Sequence, residues 1–306
     1  MDREKSLTNK YILGGLAVFC CILWGSAASA IKIGYKLFAI DGADSATQIL
    51  FAGLRFTLAG ILAVIFGSII SRKFLFPKKS SWGNVLLLAM LQTVVQYILF
   101  YIGVAHTTGV KTAIVVGVEV FVCIFVSCFI FRSEKMTSNK LIGSLIGIAG
   151  IILVNLNGIK TGLTPFTMLG DGFIILSTVA YAVSSSCIKI FSRKENPVVL
   201  SGYQFLLGGL IMIIIGFCMG GRITVFSLNG VLILMYLAFV SAAAYTIWGL
   251  LLKYNPVSKV AIYGFVNPLC GVFLSALLLN ETAALGISCI GALVLVCAGI
   301  FIANRE

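Results

Sequence analysis

Gly53-Leu54-Arg55-Phe56-Thr57-Leu58-Ala59-Gly60 decides how this chain is built, because its pattern returns half a chain later as Gly202-Tyr203-Gln204-Phe205-Leu206-Leu207-Gly208-Gly209. Both stretches keep glycine, a polar residue, phenylalanine and glycine in the same register. Working outward, Thr93, Tyr97 and Phe100 match Ser241, Tyr245 and Trp248, and Lys111, Ala113 and Ile114 match Lys259, Ala261 and Ile262. Nearer the ends, Trp24, Ser29 and Lys32 match Tyr181, Ser186 and Lys189, while Ala149-Gly150-Ile151 matches Ala298-Gly299-Ile300. The chain is therefore one unit written twice, which we place at residues 1–157 and 158–306.

Each unit is apolar almost throughout. Hydrophobic residues make up 60% and charged residues 10%, with a mean hydropathy of +1.10, far outside the range of soluble domains. Crossing roughly 30 Å of hydrocarbon takes about 20 apolar residues. Such runs fall at 12–34, 46–70, 82–103, 108–131, 139–155, 168–190, 198–220, 229–252, 257–279 and 284–303. The expected fold is an all-α membrane protein of ten transmembrane helices, five to a unit. An odd number of spans reverses the second unit in the membrane. The units then become inverted repeats about an axis in the membrane plane, around a central cavity, which is the plan of many secondary transporters.

The net charge of +12 does not point to nucleic acid, because of where it lies. With the N-terminus in the cytoplasm, Arg72, Lys73, Lys78, Lys79, Arg193 and Lys194 fall on the inner side together with Arg3, Lys5, Lys10 and others. Only Lys32, Lys36, Lys111, Lys160 and Arg222 fall outside. That asymmetry sets orientation, with both termini cytoplasmic. The N-terminus imitates a secretory signal, with a cleavage-like Ala28-Ser29-Ala30, yet it is also the first element of the repeat, so we retain it. The nine cysteines lie inside the spans with neither C-x-x-C spacing nor a histidine partner, so they read as packing residues with no disulfide framework and no metal site. With His106 the sole histidine and no phosphate loop, no catalytic set and no ATP-driven pump can be assembled. No cofactor is expected.

At this point Leu23-Trp24-Gly25-Ser26, Leu54-Arg55-Phe56 and Lys253-Tyr254-Asn255-Pro256-Val257-Ser258-Lys259 resemble the drug/metabolite transporter superfamily, as do the acids of Ser133-Glu134 and Asn280-Glu281. The closest subgroup is the EamA family of ten-span bacterial exporters. That resemblance implies a multi-pass protein of the bacterial cytoplasmic membrane, with spans one to four and six to nine around a cavity and spans five and ten at the periphery. It implies export of amino acids, other metabolites or cationic drugs. One departure stands out: Asn267-Pro268 in the ninth span has Glu119-Val120 at its matched place, an acid where a helix-breaking neighbourhood is usual.

Arg55 and Glu119 are the charges placed deepest, each roughly ten residues from its outer span end, which at about 1.5 Å per residue lies near mid-membrane. A charge there costs about 2.5–3.5 kcal/mol on insertion scales, so it calls for a partner or a wet cavity. Two readings stay open: an ion pair locking spans two and four, or a working pair in which Arg55 holds a carboxylate and Glu119 titrates to couple transport. Tyr97, Tyr245 and Trp248 lie on helical faces with Trp24 and Tyr181 nearby, against a reading as interfacial belt or plain packing. Ser26, Gln96, Ser184, Gln204 and Asn267 complete the substrate-binding set, and Pro268 frees a carbonyl beside them.

Glu134 and Glu281 are expected to cap the helix that follows each. Lys32, Lys111, Lys189 and Lys259 are expected to snorkel, with Lys32 and Lys189 as alternative gates. Gly143-x-x-x-Gly147 and Gly216-x-x-x-Gly220 offer close-packing faces, span five among them as a homodimer surface. One cation, one anion, aromatics and neutral polar groups suit a small-molecule substrate that is zwitterionic, such as an amino acid. The alternatives are a lipophilic cation or an uncoupled channel.

Overall fold

The structure is a computed structural model and describes residues 7–132, 135–156, 165–255, 260, 262–282 and 285–305. Arg3, Lys5, Glu134, Lys160 and Lys259 lie outside the described residues. Among those described, seven helices are long and apolar enough to span a membrane: α1 Lys10–Leu37, α2 Ser45–Ser71, α3 Lys79–Ala105, α4 Gly109–Ile130, α6 Met168–Phe191, α7 Pro197–Cys218 and α8 Leu228–Tyr254. Three shorter apolar helices complete the ten: α5 Ser138–Leu156, α9 Val266–Leu278 and α10 Ile287–Ala303. The cleavage-like Ala28-Ser29-Ala30 is buried within α1.

Short polar turns start these helices by local rules. Asp44, Thr108 and Ser227 turn side-chain oxygens onto the backbone N–H of Thr47, Lys111 and Gly230, satisfying donors that a helix start leaves unpaired. Asn196 does the same for Val198, with Pro197 at the first helical position. Within α3, residues Ala89–Val95 widen into a π segment, and this turns the face that the sequence pattern assigns to Thr93.

The two units pack as inverted copies. α1 lies against α8 and α9, and the matched α6 lies against α3 and α4. The pairs α2–α7, α4–α9 and α5–α10 are contacts between matched helices, as expected for elements straddling a two-fold axis. On that axis the matched hydroxyls of Tyr97 and Tyr245 hydrogen-bond at 2.8 Å.

The opening glycines explain the α2–α7 crossing. A Cβ on Gly53 would sit 2.6 Å from the Ile213 nitrogen and 2.9 Å from the Gly209 oxygen, so only glycine lets the backbones approach. Gly60, Gly209 and Gly216 sit equally close to the opposite helix. Gly216 is therefore committed to α2, while Gly220, with φ +89°, closes the end of α7 in the left-handed region that favours glycine. Gly143 meets Gly299 and Ala303 of α10, and Gly147 meets Phe121. The face read as a homodimer surface is thus spent inside the chain, in a peripheral α5–α10 pair.

Both fourth helices break at matched places. α4 is interrupted at Gly117, whose N–H reaches back only to Ile114, and α9 is entered through a 3₁₀ turn, Ile262–Phe265. Pro268 consequently stands in the first turn of α9, not in a mid-span kink, where a missing N–H removes no helix bond. α4 breaks without a proline, two residues before Glu119.

Candidate substrate cavity

A central cavity of about 80 Å³ is lined by α1, α2, α3, α4, α6, α8 and α9. Trp24, Arg55, Gln96, Tyr97, Tyr181, Tyr245, Asn267 and Glu119 all reach its wall. Helices α5, α7 and α10 give no side chain to it.

Arg55 and Glu119 share this cavity but form no ion pair; among the described residues the one salt bridge is elsewhere. Arg55, 2% exposed, donates from Nε to the Leu237 carbonyl at 3.1 Å, from Nη1 to Tyr101 Oη at 2.8 Å and from Nη2 to Ser241 Oγ at 2.9 Å. Its carbon also lies 4.9 Å over the Phe56 ring. A guanidinium carries five N–H donors, so one remains uncommitted on each terminal nitrogen. Neutral partners hold Arg55 in place and leave its charge uncompensated. The reading in which it locks α2 to α4 through Glu119 is corrected accordingly.

Glu119 has no hydrogen-bond or ion-pair partner among the described residues, and it lines the same cavity as its repeat mate Asn267. Around the two charges stands an aromatic wall: Trp24 packs edge-on to Tyr245 at 5.5 Å, and Phe100 packs edge-on to Tyr97 at 6.0 Å. Trp24 Nε1 and Gln96 Oε1 are buried with no partner, a donor and an acceptor left open on the same wall.

Four expected site residues are elsewhere. Ser26 is buried, donating to the Leu23 carbonyl and meeting Tyr236 Oη at 2.6 Å, behind the wall. Ser184 is buried and donates to the Tyr181 carbonyl. Gln204 is fully buried at the α3–α7 contact, where its amide donates to Gln92 Oε1. Thr93 joins them by donating to the Gln204 carbonyl at 3.4 Å, because the π segment turns it toward α7. Trp248 stacks edge-on against Trp24 at 5.1 Å, supporting the wall from outside. Gln204 matches Arg55 in sequence, yet one is sealed and the other reaches the cavity.

Sequence reasoning missed Asp171. It lies fully buried at the start of α6, bonded at 2.8 Å to Lys111 Nζ, which is equally buried and does not snorkel. Asp171 also accepts the Thr167 N–H at 3.1 Å, and Lys111 also donates to the Pro165 carbonyl. An aspartate inside a glycine pair, Gly170-Asp171-Gly172, looks like loop sequence, so only the contact reveals it. Glu281 caps a helix, but not the one that follows it. Its two oxygens accept the N–H groups of Gly109 and Val110, binding the end of α9 to the start of α4.

Ten helices in inverted repeats around a cavity with two unpaired charges in the middle third of their helices form a membrane transporter. Comparison with known proteins agrees. The EamA-like transporter family matches residues 12–156 and 168–305, and the chain belongs to that family. It is 28% identical over 267 residues to the uncharacterized inner membrane transporter YedA of Escherichia coli (strain K12), covering 85% of this chain and 81% of YedA. With the uncharacterized transporter YvbV of Bacillus subtilis (strain 168) it shares 25% identity over 294 residues, covering 95% and 91%. A crystal structure at 15% identity covers 95% of this chain and 97% of its own with a TM-score of 0.69, a likeness of fold alone.

Proposed function

We propose that this transporter moves small zwitterions, amino acids or close relatives, outward across a bacterial cytoplasmic membrane by alternating access, with both termini inside. The observation that carries this reading is the pair Arg55 and Glu119, which line one cavity without neutralising each other. A ligand with both charges answers both: its carboxylate takes the free N–H on Nη1 and Nη2 of Arg55, and its ammonium faces Glu119. Trp24 Nε1, Gln96 Oε1 and Asn267 supply neutral hydrogen bonds, and Tyr97, Tyr181 and Tyr245 cover an apolar side chain.

Charge supports the same choice: the uncompensated guanidinium of Arg55 in this lining would repel a lipophilic drug cation.

The test is counterflow in proteoliposomes preloaded with an amino-acid panel and challenged with labelled amino acids. Saturable exchange of a subset is the expected result. Conductive, non-saturating flux would make the protein a channel, and inert vesicles containing folded protein would remove the zwitterion reading. Glu119 is also the group we propose to couple transport to protons. The ionisable groups sharing its cavity are Arg55, Tyr97, Tyr181 and Tyr245.

A further inference from the structure

A second cavity of about 250 Å³ lies at the end of the bundle away from the chain termini, lined in part by Lys32, Tyr35, Lys36, Ile40, Leu279 and Glu281. Lys32 and Lys36 stand one turn apart on α1, so their amines share a face. Lys32 is half-buried, and neither lysine has a hydrogen-bond or ion-pair partner among the described residues. The acid of this lining is already committed. Glu281 gives Oε1 to the Gly109 N–H at 3.0 Å and Oε2 to the Val110 N–H at 2.8 Å, where the N-terminal dipole of α4 offsets its charge. Two cations therefore face one occupied carboxylate across a wall that is otherwise largely apolar. An ammonium partly withdrawn from water calls for an anion or polar groups to replace its hydration.

Two hydrogen bonds through Tyr101 link the wall of this cavity to Arg55 in the central one. Tyr35, on its wall, donates its hydroxyl to the Tyr101 carbonyl at 2.9 Å, and the Tyr101 hydroxyl accepts from Arg55 Nη1 at 2.8 Å. A single residue separates the outer wall from the central guanidinium.

We propose that the outer cavity is an anion site in which Lys32 and Lys36 hold the carboxylate of a small metabolite between the central cavity and the aqueous face away from the termini. The choice of carboxylate rests on the cargo proposed above; the preference for an anionic oxygen group rests on the lysines alone. Such a site gives the carboxylate a second cation on leaving Arg55, so the cargo crosses the outer half of the protein without an unpaired charge.

The test is brief reductive methylation of the full-length protein in phosphatidylcholine nanodiscs, read lysine by lysine by mass spectrometry, with added sodium acetate against added sodium chloride. Acetate at ten times its Kd should slow methylation of Lys32 and Lys36 about tenfold, leaving Lys79 and Lys253 at the opposite end unaffected. Lys36→Gln, at an exposed position, should weaken the protection of Lys32. Equal labelling with both salts, or undiminished protection in Lys36→Gln, overturns the site. Protection that appears only in discs containing phosphatidylglycerol, with acetate adding nothing, assigns the lysines to a lipid phosphate and overturns the metabolite reading. Acetate protection in a protein that exchanges no amino acid leaves the site standing while the cargo reading falls.

Discussion

Two pairs of opposite charges lie within this bundle, and they are built in opposite ways. Lys111 and Asp171 touch at 2.8 Å, both fully buried, with Asp171 further satisfied by the Thr167 N–H. Arg55 and Glu119 share a cavity wall and do not touch. The first pair cancels its own charge and links the start of α4 to the start of α6 across the two units. The second keeps its charges available. Closure of an ion pair thus separates the two sets of charges, and burial alone does not: Arg55 is nearly as buried as Lys111.

The largest effect should come from breaking the closed pair. Asp171→Ala removes the carboxylate bonded at 2.8 Å to the buried Lys111 ammonium and should cost about 3–5 kcal/mol, read as a collapse in thermal stability in detergent. The double variant Lys111→Met with Asp171→Leu should recover most of that loss, because apolar residues of similar volume replace buried ion pairs at little cost. A double variant as unstable as the single one would mean the pair is not a closed unit.

On the open pair, Arg55→Lys keeps the charge but loses the fork that binds Leu237, Tyr101 and Ser241 at once. One hydrogen bond to a charged group is worth about 1.5–3 kcal/mol, so exchange should fall by roughly tenfold to a hundredfold. Undiminished exchange would sink its assignment to the cargo. Glu119→Gln should leave stability within about 0.5 kcal/mol, since no partner is orphaned, while flattening the pH dependence of exchange. A pH profile identical to that of the wild type removes the coupling role.

The mildest contrast lies outside the spans, at Glu195 between α6 and α7. Partial burial pushes its carboxyl up, but the N–H groups of Lys78 and Asn196 accepted by its oxygens outweigh this and hold it below the usual carboxylate range. A lowered folded value means that its stabilisation is present above the unfolded carboxylate pKa and is lost as pH falls through the folded one. Glu195→Gln should therefore lower the melting temperature slightly at neutral pH and not at all in strong acid. An equal deficit at both pH values would show that lost packing, not charge, is responsible.

How much of this was legible beforehand follows from the kind of information each feature uses. Span positions and their inversion came from hydropathy and repeat spacing, because a bilayer imposes length and apolarity on every crossing segment. Trp24, Arg55, Glu119, Tyr181 and Asn267, read from rarity or matched position, line the central cavity. Ser26, Ser184 and Gln204 were misplaced because helical phase decides whether a side chain faces a cavity or a neighbour. One π segment in α3, or a few tens of degrees of rotation in α7, changes that without a mark in the sequence. Asp171 was missed for the converse reason, since its partner stands on another helix.

Taken alone, the sequence determined the membrane, the number of crossings and the inverted duplication, all of them properties of composition and spacing along the chain. Tertiary structure alone decided which charges close on each other and which stay open, where Glu281 and Gly143 spend their contacts, and that α7 turns Gln204 away while α2 turns Arg55 in. Those outcomes depend on distances between helices far apart in the chain, and a pattern read along one dimension does not contain them.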